Sequence, residues 1–380
     1  MPVPPLGHVP AQTPVAVVFG GPSAEHDVSI VSGTAIAEAL SGSGYPLELW
    51  YVELEGAWWR LPDGHRREGR PQAVYDHPAA LGAEGPLGAA EALDLLADRD
   101  TPPLVFIALH GPFGEDGTIQ ALCEATGLVY TGSGVTASAI GMDKAVFKRL
   151  ARGLGLPVAD WLEVRARRWA ADPDGVLAEL DEFATAGGDA RLMVKPARLG
   201  SSLGMTLAHG AGERSAALLE AFRFDDLVLV ERYLAGARDL EVAVIGNEPD
   251  ALEVYGPGEI MSGHEFYDYQ AKYTPGLSES SLTAEVTADE RARLLDLARA
   301  TYSALGCEGF ARVDFLLADR QLIVSEINTI PGFTPISLFP ALPASAGYDF
   351  AGVCSRVVDL ALAREASRIR HRPTTADLPR

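Results

Sequence analysis

Lysine is almost missing from this chain. Of 31 cationic side chains in 380 residues, only Lys144, Lys148, Lys195 and Lys272 are lysine; the rest are arginine. Arginine presents a planar fork, whereas lysine presents a compact point charge that suits a single phosphate oxygen. Lys144, Lys195 and Lys272 fall in Met142-Asp143-Lys144, Val194-Lys195-Pro196 and Tyr267 to Tyr273, segments dense in glycine, serine, aspartate and aromatic residues. Phosphate contacts are one reading, and a coding bias toward arginine is the other. Cations of any kind are scarce: 52 acidic residues leave a net charge of −21 and no basic stripe. That excludes a large nucleic-acid surface, which needs many phosphate-neutralising cations. An anionic nucleotide would have to be held by local cations, backbone N–H groups or metal. Cysteine is scarce too, and Cys123, Cys307 and Cys354 show no CxxC or Cys/His spacing. Disulfide and zinc frameworks are therefore not expected, and the three read as buried thiols in a reducing compartment. There is no cationic leader, and the apolar run Val15 to Phe19 is too short for a signal core or a membrane span. A cytoplasmic protein without membrane contact is expected.

What is present suits a globular enzyme. The length allows two or three domains, and 47% apolar with 22% charged residues is ordinary for a soluble protein. Residues 1–13 read as a loose Pro-rich leader. Val15 to Phe19 ends in Gly20-Gly21 as a buried parallel strand would, followed by a helix near Val28 to Leu40 and a strand near Leu47 to Val52. Leu104 to Leu109 is a further strand, then a polar loop from His110 to Gly117 and a helix from Thr118 to Thr126. This alternation predicts an open α/β sheet with a ligand crevice at the carboxyl ends of its strands. From about Lys144 the strands shorten: Leu192 to Pro196, Leu227 to Arg232, Leu240 to Ile245, Ala311 to Leu317 and Leu322 to Ile327. Helices are expected at Glu213 to Phe222 and Asp289 to Leu305. Residues 263–275 read as a long functional loop, and the stretch after about Arg364 as a frayed tail.

Chemistry concentrates in a few places. In Arg312-Val313-Asp314 and Glu326-Ile327-Asn328 the polar pairs are spaced i, i+2, so each pair shares one face of a strand. Asp314, Glu326 and Asn328 would then offer hard oxygen ligands of the kind that hold Mg²⁺ with nucleotide phosphates. Plain alternation on a half-solvated sheet accounts for one trio more easily than for two. Lys195 to Met205 gives a strand-end lysine and then a Gly/Ser loop whose N–H groups could cradle phosphate. No Gly-Lys dipeptide occurs, which excludes a Walker A loop. Gly132-Ser-Gly-Val-Thr-Ala137 matches GxGxxG/A, but it lies mid-chain with no acid about 20 residues on, so it reads as a helix-opening turn.

Together these motifs resemble the ATP-grasp superfamily, and within it the D-alanine–D-alanine ligases. The resemblance runs from Val15 to about Leu362. It rests on Gly20-Gly-Pro-Ser-Ala-Glu-His-Asp-Val-Ser29, Leu109 to Thr118, Tyr130 to Gly134 with Met142-Asp-Lys144, Lys195 to Met205, Phe266 to Tyr273, Ala311-Arg-Val-Asp314 and Glu326 to Leu338, in family order. It implies an α/β fold: an N-terminal open parallel-sheet domain (14–141) followed by a two-lobed ATP-grasp fold (142–230 and 231–365), with a tail at 366–380.

The resemblance also implies roles. Lys144 and Lys195 would hold ATP phosphates, with Ser201 and Ser202 closing over them. Glu231, Arg232, Tyr233 and Leu234 would form the hinge against adenine, and Asp239 or Glu241 would take the ribose hydroxyls. Asp314, Glu326 and Asn328 would bind two Mg²⁺ or Mn²⁺ ions. Glu25 would hold the ammonium of a first D-alanine, with His110 also at the substrate. Arg312 and the Gly332 N–H would stabilise the tetrahedral oxyanion, and Ser337 with Leu338 would bind the second carboxylate. Lys272 and Tyr273 would come from a closing loop, Tyr273 bonded to Ser201 and Glu25. The implied activity is ATP-dependent joining of two D-alanines through an acylphosphate, in a cytoplasmic homodimer. Competing readings are a dehydrogenase built on Gly132-Ser-Gly134, a non-catalytic binding module and a D-alanine–D-lactate ligase. Phe266 to Tyr273 resembles the dipeptide-forming branch.

Overall fold

The computed structural model describes residues 13–263 and 277–370. A first sheet is built from β1 (Val15–Gly20), β2 (Leu47–Val52), β3 (Trp58–Arg60), β4 (Glu84–Leu87) and β5 (Leu104–Ile107), in the order β4-β3-β2-β1-β5. β1 lies parallel between β2 and β5, and every residue of β1 and β5 is buried, as continuous apolar runs demand. The sheet is not wholly parallel: β3 pairs antiparallel with β2, and β4 with β3. A tight turn makes this possible, with Glu53 N–H donating to Ala57 O at 2.8 Å and Gly56 at φ +89°. The helix His26–Gly42 packs so closely on β1 that a Cβ on Gly33 would sit 2.3 Å from the Phe19 Cβ.

A second sheet holds β6 (Trp161–Arg165), β7 (Leu192–Pro196), β8 (Thr206–Ala208) and β9 (Leu227–Arg232) in the order β6-β9-β7-β8, all antiparallel. The third contains β10 (Arg238–Ile245), β11 (Glu253–Ser262), β12 (Ser278–Ser281), β13 (Phe310–Ala318) and β14 (Gln321–Asn328), ordered β12-β11-β10-β13-β14. The chain passes from the second sheet to the third through Tyr233 to Ala237, and Tyr233, Leu234 and Ala237 line a cleft there. Gly134 opens the helix Val135–Met142, so the GxGxxG/A segment is indeed a helix-opening turn. Cys123, Cys307 and Cys354 are buried and free. Among the described residues no helix is long and apolar enough to cross a membrane.

One expectation fails at the C-terminal end. The stretch after Arg364 is not frayed at its start: the helix Phe350–Arg370 carries through it. Arg364 is buried and donates to the carbonyls of Gly132 and Tyr130, with its guanidinium 4.4 Å from the Tyr130 ring centroid. Arg368 continues the clasp to Glu308 at 3.4 Å and Glu124 at 3.5 Å. What reads as a polar tail is a helix whose arginines supply donors to a buried loop. Arg364→Met leaves those carbonyls without donors and should cost on the order of 1–3 kcal/mol in denaturant unfolding. An unchanged midpoint would show the clasp to be idle.

Candidate active site

Strand register brings the acids together. Glu241 on β10 faces Asp314 on β13, which faces Glu326 on β14, while Arg312 faces Asn328 one step along. The two i, i+2 pairs therefore share one surface, as the alternation predicts. Arg312 forks onto Asp314 (Nε–Oδ1 2.6 Å, Nη2–Oδ2 2.7 Å) and reaches Glu241 at 3.3 Å. Asn328 Nδ2 donates to Asp314 Oδ2 at 2.9 Å. Burial alone would lower the Arg312 pKa, but Asp314 and Glu241 hold it well above the ordinary arginine value. Among the described residues no three His, Cys, Asp or Glu side chains converge as a ready-made metal cage. A hard donor set of two carboxylates and an amide oxygen still suits an ion completed by phosphates and water.

Lysines close the other side. Asp143 caps the helix Lys144–Gly153 by accepting from the Ala145 and Val146 N–H groups. Lys144 and Lys148, spaced i, i+4, thus share one face of it. Lys144 Nζ lies 3.0 Å from Glu326 Oε2 and donates to Leu199 O at 3.0 Å. Burial opposes its charge, yet Glu326 keeps its pKa raised. Lys195, near the end of β7, meets Glu231 Oε1 at 2.9 Å, and so does Lys148. The following loop holds Ser201 and Ser202 at φ +51° and +55°, a conformation that costs energy for non-glycine residues and marks functional segments.

The first loop is locked by serines. Ser29 Oγ accepts from the Gly20 N–H and donates to Ala108 O, tying the ends of β1 and β5. Ser23 Oγ accepts from the Glu25 N–H and donates to His110 O. Ser201 Oγ donates to Glu25, and a Cβ on Gly200 would sit 2.8 Å from Glu25 Oε2, so the loop passes close over that carboxylate. His110 is buried, with Nδ1 3.0 Å from Ile330 O and Nε2 3.0 Å from Ser32 Oγ. Burial would lower its pKa, but Glu115 more than offsets this. Phe333, packed edge-on against Phe106 and Phe310, pins the loop carrying Gly332 and Ser337.

These groups line two adjoining clefts. Lys195, Ser202, Asp239 and Asp314 line the first, as do Glu231, Arg232, Tyr233 and Leu234. Glu25, His110, Ser201, Asn328, Gly332 and Ser337 line the second. Lys144, Glu241, Arg312 and Glu326 line both. Leu338 lines neither; its side chain is buried in the core. Lys272 and Tyr273, with most of the 263–275 loop, lie outside the described residues. Sequence reasoning gave no role to Glu115, Lys148 or the junction at Glu241. Only the HGPFGEDG motif and the rarity of lysine pointed at the first two.

Residues 14–133 match the family description "D-ala D-ala ligase N-terminus", and residues 150–359 match "D-ala D-ala ligase C-terminus". A D-alanine–D-alanine ligase of Kineococcus radiotolerans is 39% identical over 92% of this chain and 96% of its own length. One from Heliobacterium modesticaldum is 38% identical over 96% and 98%. The solved D-alanine–D-alanine ligase of Coxiella burnetii superposes with a TM-score of 0.76 at 28% identity, covering 95% of this chain and 97% of that one. The D-Ala:D-Ser ligase VanG of Enterococcus faecalis gives 0.78 at 28% identity over 92% and 99%. The protein is thus an α/β protein of a ligase class, with one parallel-centred sheet and two antiparallel ones. It belongs to the D-alanine–D-alanine ligase family.

Proposed function

We propose that this chain joins two D-alanines to D-alanyl-D-alanine at the expense of ATP, for cell-wall precursor synthesis. The observation that carries the reading is the common wall of the two clefts, Lys144, Glu241, Arg312 and Glu326. A reaction that passes a phosphoryl group from a nucleotide to an amino acid needs such a wall. The first cleft takes ATP: Glu231 to Leu234 against adenine, Asp239 at the ribose, Lys144 and Lys195 on phosphate, with Ser202 over it. Asp239 is preferred to Glu241 for ribose because it lines the first cleft alone, whereas Glu241 stands at the junction of the two. The second takes the amino acids: Glu25 on the first ammonium, His110 also at the substrate, and Ser337 with the Leu338 N–H at the second carboxylate. Lys272 and Tyr273 complete the reading as groups from the 263–275 segment.

Asp314, Glu326 and Asn328 would hold two Mg²⁺ or Mn²⁺ ions, which neutralise charge on the transferring phosphoryl group. The first D-alanine carboxylate attacks the γ-phosphorus, ADP leaves, and an acylphosphate forms; phosphoryl transfer of this kind is mostly positioning and charge neutralisation. The second amine, having lost its proton, attacks the acyl carbon. Arg312 and the Gly332 N–H stabilise the oxyanion, and inorganic phosphate departs. Ser201, bonded to Glu25, covers this centre against water. In the same reading the fold is an ATP-grasp fold with units at about 14–141, 142–230 and 231–365, working as a cytoplasmic homodimer away from nucleic acid. The test is ATP-dependent phosphate release with D-alanine alone and with added D-lactate or D-serine, the products resolved by mass spectrometry. D-alanyl-D-alanine should dominate. A prevailing depsipeptide or mixed dipeptide would overturn the substrate assignment, and no phosphate release in any arm would overturn the whole reading.

A further inference from the structure

Lys148 is the one lysine among the described residues that the proposed reaction does not use. It does not line the nucleotide cleft, but both of its partners, Glu231 and Ala159, do. Its side chain is 1% exposed. The Nζ donates to Ala159 O at 3.1 Å, sits 2.9 Å from Glu231 Oε1 and lies 5.3 Å from the Trp161 ring centroid. Lys195 approaches the same Glu231 oxygen at 2.9 Å from the cleft side. One carboxylate oxygen therefore serves two ammonium groups that differ in freedom. Lys148 is enclosed and cannot leave, while Lys195 faces the cleft.

We infer that Lys148 is a positioning residue that satisfies Glu231 from behind and so frees Lys195 for the phosphates of the bound nucleotide. A carboxylate with a single cation would hold Lys195 as a closed ion pair, and an incoming phosphate would have to break that pair. With Lys148 fixed behind it, the carboxylate is already neutralised. Repulsion between the two ammoniums then favours the outward position of Lys195. Burial, with Lys195 adding to it, holds the Lys148 pKa below the ordinary lysine value, and the Glu231 carboxylate is the group that opposes this. The inference rests on the nucleotide reading of the first cleft.

The experiment measures, on the full-length protein with Mg²⁺, the dissociation constants of a non-hydrolysable ATP analogue and of adenosine, which has no phosphate. Lys148→Met should weaken the analogue about five- to fifty-fold while moving adenosine less than about two-fold. Adding Lys148→Met to Glu231→Gln should leave the ratio of the two constants unchanged, because the trap for Lys195 is already gone. That double variant also tests the idea if Lys148→Met alone does not fold, since it buries no unpaired carboxylate. Equal losses for both ligands would mean that Lys148 merely supports the wall, and no loss for either would mean that Lys195 needs no release; each overturns the inference. A ratio that still shifts in the Glu231→Gln background does the same. A wild-type protein that binds neither ligand would sink the nucleotide reading itself, and this inference with it.

Discussion

Asp314→Asn and Glu326→Gln are each expected to lower turnover roughly 10³-fold or more with the fold intact, since bridging metals supply several kcal/mol of transition-state stabilisation. Both changes keep volume and remove one formal charge from the Glu241–Asp314–Glu326 row across three strands. Each also releases a cation: Asp314 holds the Arg312 fork, and Glu326 holds Lys144. An amide can neither neutralise those cations nor bind a divalent ion as tightly. Thermal unfolding should stay near wild type, because both side chains are only partly buried. Steady-state rates across a Mg²⁺ titration are the check. Near wild-type turnover at saturating Mg²⁺ in either variant would remove the metal role from that residue.

Lys195→Arg is expected to be nearly as damaging as Lys195→Ala, with each losing on the order of 10²–10³ in turnover, as removal of a single charge-stabilising donor does. Charge is conserved in the first substitution, so shape decides. Lys195 is 6% exposed and meets Glu231 in a wall that also contains Ala159 and Met193. A planar guanidinium needs more width than an ammonium and would engage Glu231 as a fork instead of reaching a phosphate oxygen. Should Lys195→Arg keep most activity while Lys195→Ala loses it, the scarcity of lysine would be a matter of coding bias alone.

Much of the sheet framework was legible because burial leaves a plain mark. β1 and β5 are apolar at every position, and β13 and β14 alternate over most of their length, with breaks at Phe310-Ala311 and Ser325-Glu326. The missed strands lack that mark. β3 has three residues, and β11 contains Gly-Pro and a further Gly, which weaken a strand pattern. The stretch after Arg364 reads as a frayed tail because Arg364 looks solvated, whereas its partners are carbonyls more than 200 residues away in the chain. The site followed the same rule. Arg312, Asp314, Glu326 and Asn328 announce themselves by spacing within one strand pair. Lys148 gains its meaning only from Glu231, which a different sheet brings to it.

The common wall between the clefts has a thermodynamic consequence. Lys144, Glu241, Arg312 and Glu326 carry two ion pairs, Lys144 with Glu326 and Arg312 with Glu241, in which each cation answers an acid. A ligand that draws Lys144 away from Glu326 in one cleft changes the field in the other, so the two occupancies are not independent variables. Around a closed cycle of binding steps, the factor by which nucleotide alters the dissociation constant of the amino acid equals the factor by which amino acid alters that of the nucleotide. A substitution at any of the four should therefore move both constants at once, and the cross-term, more than either affinity alone, records what the wall contributes.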